Sequence, residues 1–272
     1  MVTTVEFEPV NPLSAYMAQI GLSPISLLGI NIHPLRVADL HELIATIVSH
    51  KWKALILHMN VYGMNLAFEQ SWLQDFFNNA QIVFCDGAGV KLGARIQGNY
   101  IPERITYADW MWQVSEFAAA KGFSLYFLGA LPGVAQKAAS KLQEKYPRLQ
   151  IVGTHHGYFD MQINSLENKA LVDEINQLQP NILVLGFGMP LQERWLCENW
   201  NQLNVNIALT GGAVFDYISG DLNRAPGWMT NNGFEWMGRL LIEPRRLWRR
   251  YLVGNPLFLW RVLKQKYNLP GD

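Results

Sequence analysis

The chain has 272 residues, half of them hydrophobic, and no formal net charge at pH 7, so it can bury the core of one large domain. Its two cysteines, Cys85 and Cys197, have no metal-ligand spacing and cannot form a disulfide framework, so a reducing cytoplasm fits best. We expect no secretory signal and no membrane-spanning helix, because neither a basic start before an apolar run nor about 18 consecutive apolar residues occurs.

Short apolar runs alternate with helical patterns along the chain. The runs cover residues 27–32, 54–58, 81–85, 124–129, 150–153, 181–187 and 205–210. This alternation predicts an α/β fold with a mostly parallel sheet flanked by helices. The helical pattern is clearest over 132–146, where a proline stands at the start and apolar residues recur every four positions. That segment is predicted to be a surface helix.

Charge divides the chain into two parts near residue 222. Residues 1–223 hold 13 Lys and Arg against 19 Asp and Glu, whereas residues 224–272 hold 9 against 3. We therefore predict an α/β body over 1–222, with an irregular N-terminal arm over 1–22, and a C-terminal helical appendage over 223–272. The excess of positive charge in the appendage indicates an anionic partner.

Candidate functional residues follow the predicted strands, where an open parallel sheet binds its ligands. Asp86 comes directly after the apolar run 82–85 and is followed by glycines at 87 and 89. A carboxylate at a strand end can take a proton from a substrate hydroxyl. The alternative is that Asp86 caps a helix beginning near Ala88.

Two further strand-end or loop segments leave similar alternatives open. The Gly-x-Gly-x-Pro motif over 186–190 lacks the third glycine of a dinucleotide fingerprint and predicts only a tight turn into a helix. Gln192 would lie in the first turn of that helix, either contacting a sugar or phosphate or acting as a cap. Arg104 lies in a predicted loop, where it either binds an anion or pairs with Glu103.

No metal site is predicted. None of the nine aspartates forms an Asp-x-Asp pair, and no third ligand lies near His155 and His156 in the sequence. A bound diphosphate would then be neutralised by arginines and helix N-termini.

The appendage interleaves basic residues with Trp, Leu and Phe from Gly238 onward. This composition is typical of a segment that lies on an anionic membrane surface. The alternative is a helix packed on the body through its aromatic residues. Nucleic acid is not an expected partner, because the acidic body offers no broader basic face.

Taken in order, the motifs resemble the WecG/TagA/CpsF family of bacterial glycosyltransferases over roughly residues 25–262. The resemblance rests on seven motifs, which are Phe84-Cys-Asp-Gly-Ala-Gly-Val90, Pro102-Glu-Arg-Ile-Thr106, Leu128-Gly-Ala-x-Pro-Gly133, His156-Gly-Tyr-Phe159, Gly186-x-Gly-x-Pro-x-Gln-Glu193, Arg224-Ala-Pro226 and Glu235-Trp-x-x-Arg-x-x-x-Glu-Pro-x-Arg-x-x-Arg-Arg-Tyr251. Each motif alone is weak, but their number and order are specific.

The resemblance implies a Rossmann-like body and an inverting, metal-independent glycosyltransferase without a cofactor. The enzyme would move an N-acetylmannosamine-type or related sugar from a UDP donor to a sugar on polyprenyl diphosphate, in cell-surface polysaccharide synthesis. It would be cytoplasmic and peripheral at the inner face of the cell membrane, with the appendage helping to complete the site. The oligomeric state is left open, a homo-oligomer included.

The resemblance also implies roles for nine residues. Asp86 would be the general base, and Asn60 would orient the acceptor or the base. The donor would be bound by Arg104, Tyr158, Gln192 and Asp216. The acceptor diphosphate would be bound by Arg239, Arg246 and Arg249.

Three residues depart from the pattern that the resemblance leads us to expect. His58 stands in place of threonine, Tyr107 in place of glycine and Leu191 in place of lysine. These departures concern the identities of the donor sugar and the acceptor more than the class of reaction. Two other functions stay open at this point: a lipid- or polyanion-binding protein without turnover, and a nucleotide-sugar epimerase or dehydrogenase, which would need a nicotinamide cofactor.

Overall fold

The computed structural model describes residues 12–231 and 233–269. Within them, a central sheet has six strands, all parallel, in the order β4-β3-β8-β7-β5-β6. The strands are β3 (Ala54–Met59), β4 (Ile82–Cys85), β5 (Ser124–Gly129), β6 (Gln150–His155), β7 (Ile182–Gly186) and β8 (Ile207–Thr210). The predicted α/β fold is confirmed, since each strand after β2 corresponds to one of the apolar runs.

The first apolar run is not part of this sheet. It forms an antiparallel hairpin of β1 (Ile25–Leu27) and β2 (Ile30–Ile32). The two residues between them, Leu28 and Gly29, both have positive φ angles of 48° and 78°. Two such residues make the tight turn that joins twisted antiparallel strands, so the run folds back on itself.

Helices cover both faces of the sheet. In the body they are α1 (Pro12–Gln19), α2 (Val37–Ser49), α3 (Val61–Glu69), α4 (Ser71–Asn79), α5 (Ala88–Ile96), α6 (Tyr107–Lys121), α7 (Val134–Lys145), α8 (Leu166–Leu178), α9 (Leu191–Asn199) and α10 (Val214–Ser219). The surface helix predicted over 132–146 is confirmed as α7, which buries Val134, Ala138 and Leu142. Alternate residues of β3 enter two apolar clusters: Leu55 and Leu57 on one face of the sheet, Ile56 on the other.

The irregular arm predicted over 1–22 is wrong for residues 12–19, which form α1. Leu13 and Met17, one helical turn apart, are both buried in the apolar cluster on one face of the sheet. This packing stabilises a helix too short to form alone. Residues 1–11 lie outside the described part of the chain.

The appendage is helical, as predicted. It contains α11 (Gly227–Asn231), α12 (Glu235–Ile242), α13 (Pro244–Trp248), one π-helical turn (Arg249–Val253) and α14 (Gly254–Lys266). Helix α14 packs against α3 and α5 and places Phe258 and Val262 in the core of the body. Helix α14 therefore fits the second of the two predictions for the appendage, a helix that packs on the body through an aromatic residue. No helix in the described ranges is long and apolar enough to cross a membrane.

The strand connections change direction between β3 and β8, and we call the space outside the carboxyl ends of these two strands the crevice. From β3 the chain runs through α3 and α4 to β4, at one edge of the sheet. From β8 it enters α10, which packs against α7 on the other side. Ligands bind where neighbouring connections leave in opposite directions, so this crevice is the expected binding position.

Candidate active site

Asp86 and Asn60 lie side by side at the ends of β4 and β3. The backbone N–H of Asp86 donates to the Met59 carbonyl at 2.9 Å, which continues the strand pairing by one residue. A Cβ on Gly87 would lie 3.4 Å from the Asn60 Cα, so the two strand ends are in contact. Asn60 caps α3 by accepting the Gly63 N–H through Oδ1 at 3.0 Å. The cap uses the amide oxygen only, so the amide nitrogen can donate to a ligand.

The Asp86 carboxylate is held by a different helix from the one expected. The alternative role, capping the helix near Ala88, is wrong, because the N-cap of α5 is Gly87 and has no side-chain cap bond. Instead Asp86 Oδ1 accepts the backbone N–H of Tyr107, the first residue of α6, at 3.1 Å. The carboxylate is partly exposed, so this bond orients it without sealing it from a substrate.

Two of the three departures from the family pattern meet beside Asp86. His58 is buried, and its Nδ1 lies 2.6 Å from the Thr210 carbonyl oxygen. A carbonyl can only accept, so Nδ1 carries the proton and Nε2 is the acceptor. Burial lowers the pKa of His58, which keeps the ring neutral near pH 7. The Tyr107 ring packs edge-on against it at 5.5 Å, and the Tyr107 hydroxyl is buried without a partner in the described residues.

Gln192 positions a loop of the crevice. Its side chain is fully buried, accepts the Gly212 N–H at 3.1 Å and donates to Glu193 at 2.8 Å. Burial raises the pKa of Glu193 to about 7. Gln192 therefore fixes the turn between β8 and α10, and its contact with the donor stays a prediction. Leu191, the third departure, is exposed at the start of α9.

The appendage is held over these strand ends by two arginines. Arg104, in the loop before α6, donates to the Thr230 carbonyl at 2.8 Å. Arg224 binds the Asp109 carboxylate with both terminal nitrogens and pairs with Glu235 at 3.5 Å. Burial raises the pKa of Glu235, although Arg224 opposes the shift. Both contacts join the appendage to α6 or the loop before it, next to Asp86.

The predicted donor residues do not form one cluster. Tyr158 follows β6 at the opposite edge of the sheet from Asp86 and is 67% exposed. Asp216 lies in α10, where Arg246 and Glu243 of the appendage act on its charge. Burial is the main reason that the pKa of Asp216 is raised. The structure thus brings Asp86, Asn60 and Arg104 into one region and leaves Tyr158 apart from it.

The three predicted acceptor arginines point in different directions. Arg246 is 63% exposed along its side chain and pairs with Glu243. Arg249 is exposed and lies over the Trp248 ring at 5.2 Å. Arg239 alone of the three meets the body, with its guanidinium 5.7 Å from the ring centroid of Tyr217 in α10.

A fourth arginine, which the motif reasoning missed, also meets the body. The Arg250 guanidinium lies 4.4 Å from the ring centroid of Tyr62, at the start of α3. Arg249 and Arg250 begin the π-helical turn over Arg249–Val253. A π-helical turn does not follow the α-helical spacing of 3.6 residues per turn. The sequence spacing therefore did not show whether Arg249 or Arg250 faces the body.

Comparison with known proteins agrees with the motifs. The model of the "Glycosyl transferase WecG/TagA/CpsF family" matches residues 25–271. A relative from Staphylococcus aureus (strain NCTC 8325 / PS 47), named N-acetylglucosaminyldiphosphoundecaprenol N-acetyl-beta-D-mannosaminyltransferase, is 26% identical over 244 residues, 89% of this chain and 93% of the relative. Proteins of the same name from strains COL and MW2 are 26% and 25% identical, with the same coverage.

The family match spans nearly the whole chain and confirms the resemblance inferred from the motifs. It decides against the binding protein without turnover and against the epimerase or dehydrogenase. The chain, with Asp86 and Asn60 at adjoining strand ends and the appendage docked beside them, belongs to the WecG/TagA/CpsF family and is a glycosyltransferase.

Proposed function

We propose that the chain transfers an N-acetylmannosamine-type sugar from a UDP donor to a sugar carried on polyprenyl diphosphate, in cell-surface polysaccharide synthesis. The name of the S. aureus relatives describes transfer of an N-acetyl-β-D-mannosaminyl group to N-acetylglucosaminyldiphosphoundecaprenol. The observation that carries the proposal is the partly exposed Asp86 carboxylate beside Asn60, at the crevice where such a sheet binds its ligands.

The reaction is a single displacement. The acceptor hydroxyl oxygen attacks the anomeric carbon, and the bond from that carbon to the diphosphate oxygen breaks, leaving its electron pair on UDP. Asp86 takes the hydroxyl proton as general base. Its Oδ1 is held by the Tyr107 N–H, and attack from the face opposite the leaving group inverts the anomeric configuration. Asn60 orients the acceptor from the neighbouring strand end.

Negative charge grows on the departing UDP oxygen. Fixed donors that face this oxygen would stabilise it without rearranging during the reaction. Arg104 lies in the loop beside Asp86, and the glycine-rich starts of α5 and α10 supply backbone N–H groups at helix N-termini. We assign the donor diphosphate to this set, with Tyr158 and Asp216 nearer the uridine.

The reaction is proposed to need no metal ion and no cofactor. Over the described ranges there is no group of three or more His, Cys, Asp and Glu side chains that could hold a metal, and the sequence has no Asp-x-Asp pair. Transfer should therefore persist in EDTA. Loss of transfer that Mg²⁺ or Mn²⁺ restores would overturn this part of the proposal.

The appendage is proposed to rest on the inner face of the cell membrane. From α12 to the π turn it exposes large apolar side chains together with arginines. They are Leu241, Ile242, Arg245, Trp248, Arg249, Leu252 and Val253. Apolar side chains among cations suit the headgroup boundary of an anionic bilayer. Binding to anionic vesicles that weakens with salt would support this placement, and equal binding to neutral vesicles would contradict it.

The test of the whole proposal is a transfer assay. The full chain is incubated with a panel of UDP-sugars, UDP-N-acetylmannosamine among them, and a short-chain polyprenyl-diphosphate N-acetylglucosamine. We expect UDP release and a product heavier by one N-acetylhexosamine, with the new linkage inverted relative to the donor. Absence of product with every donor, from a folded protein, would overturn the proposal.

A further inference from the structure

The turn between β8 and α10, residues 211–213, borders open space. A Cβ added to Gly212 would meet nothing within 4 Å beyond its chain neighbours. Gly212 comes two residues after Thr210, the last residue of β8, so this open space lies outside the carboxyl end of that strand. A ligand bound in the crevice would therefore lie against the turn.

The two glycines of this turn are held in different ways. The backbone N–H of Gly211 donates to the Leu185 carbonyl at 2.7 Å, which continues the pairing of β8 with β7. The backbone N–H of Gly212 instead donates to a side chain, Oε1 of Gln192, at 3.1 Å. Gly212 also has a positive φ of 58°, a conformation that favours glycine. The position of Gly212 thus depends on how the Gln192 amide is oriented.

Glu193 sets that orientation. Both side chains are fully buried, and Nε2 of Gln192 donates to Oε1 of Glu193 at 2.8 Å. An amide group donates only through its nitrogen and accepts only through its oxygen, so this bond leaves the Gln192 oxygen facing Gly212. The other carboxyl oxygen of Glu193 is buried without a partner among the described residues. An unpartnered buried oxygen destabilises a fold, so packing alone does not account for a carboxyl group at this position.

We propose that Glu193 is a positioning residue, which acts through Gln192 to hold the 211–213 turn in the form that binds the UDP part of the donor. Gln192 then acts through the turn and does not touch the donor, since its buried amide already bonds at both ends inside the protein. The inference rests on the proposed function, which brings a UDP-sugar to this crevice. A turn that is ordered before binding saves the ligand the cost of ordering it.

The direct test measures UDP binding to the full chain by calorimetry at about pH 6. Burial raises the pKa of Glu193 to about 7, so at this pH glutamine matches the carboxyl group in charge. Glu193→Leu should raise the Kd about 10-fold, because UDP must then order the turn. Glu193→Gln should stay within about 2-fold of the wild type, since its amide oxygen can accept from Gln192. An unchanged Kd in Glu193→Leu, or an equal rise in both variants, would overturn the proposal.

Asn199 provides a matched control on the same helix. It is fully buried in α9, donates to the Trp195 carbonyl at 2.9 Å and accepts from Asn168 at 2.8 Å. Asn199→Leu and Glu193→Leu should both lower the melting temperature, but Asn199→Leu should leave the Kd for UDP within about 2-fold of the wild type. Equal rises in the Kd would reduce the role of Glu193 to stability and overturn the proposal.

A shorter acid decides the question if Glu193→Leu does not fold. Glu193→Asp keeps a carboxyl group but withdraws it by one methylene from the Gln192 amide. The Kd for UDP should then rise several-fold. Wild-type affinity in Glu193→Asp would overturn the proposal.

Two further measurements follow the route from Glu193 to the turn. Hydrogen exchange of the Gly212 amide without ligand should be about 10-fold faster in Glu193→Leu than in the wild type, because its acceptor is no longer fixed. In a Gln192→Leu background, Glu193→Leu should raise the Kd for UDP no further. Unchanged exchange, or an additional rise in the Kd, would contradict action through Gln192. Neither measurement needs sugar transfer, so both results are separate from the transfer assay.

Discussion

Truncation of Phe258 should detach α14 from the body at a large cost in stability. Phe258 is 1% exposed, and its ring fills the space above Gly93 of α5, where an added Cβ would lie 2.7 Å from the Phe258 Cζ. Replacing a fully buried phenylalanine by alanine costs about 3–5 kcal/mol, because transfer energy and cavity energy add. We expect a fall of that size in the free energy of unfolding of Phe258→Ala, measured by urea denaturation.

The same helix provides the control. Trp260 is 54% exposed, so Trp260→Ala should cost less than about 1 kcal/mol. Gly93→Ala should cost about 1–3 kcal/mol by overpacking the Phe258 ring. In the Phe258→Ala background the same change should be neutral or stabilising, because alanine is the better helix former. Equal losses for the two aromatic variants, or a Gly93→Ala cost that does not depend on Phe258, would refute the docking of α14 on α5.

Three other changes test the site and its support. Asp86→Asn should lower the transfer rate about 10²- to 10⁴-fold, because an asparagine side chain cannot take the hydroxyl proton. The melting temperature and the UDP affinity should stay unchanged, since asparagine can still accept the hydrogen bond from the Tyr107 N–H. A near-normal rate would remove Asp86 from the mechanism. The Glu193 pKa of about 7 lies above its ordinary 4.5. The folded wild type therefore holds a proton that the unfolded chain has released, and its free energy of unfolding should fall by about 3 kcal/mol as pH rises between these values. Glu193→Gln has no such proton and should not show this fall. Equal urea midpoints for these two proteins at pH 8 would contradict this. Arg261→Lys should lower the free energy of unfolding by about 1 kcal/mol, since Arg261 pairs with Glu69 at 2.7 Å. Lys266→Arg, at an exposed position, should leave it unchanged. Identical urea midpoints for the two variants would make Arg261 an ordinary surface charge.

The sheet was largely predictable, because buried parallel strands are short apolar runs and each one after the first stands between helical patterns. The hairpin was missed because its turn, Leu28 and Gly29, lies inside an apolar run. Helix α1 was missed because it has only two buried residues, Leu13 and Met17, and depends on tertiary packing.

The site was predictable where it depends on strand ends and not where it depends on helix orientation. Asp86 could be placed at the ligand-binding edge because it directly follows a predicted strand, whereas Asn60 was assigned through the family resemblance. The appendage arginines could not be ranked, since a π turn separates Arg250 from the helices before it. The basic composition of the appendage suggests that Arg261 belongs to an exposed basic surface. In the structure Arg261 instead binds Asn65 and Glu69 of α3.

The hydrogen bond that orients Asp86 comes from the backbone of Tyr107, not from its side chain. Any residue except proline supplies the same N–H, so position 107 can change during evolution without moving the Asp86 carboxylate. The resemblance leads one to expect glycine there, and this chain has a tyrosine packed against His58. A member of the family can therefore change the packing around His58 at this position, while the backbone N–H that holds the Asp86 carboxylate stays where it is.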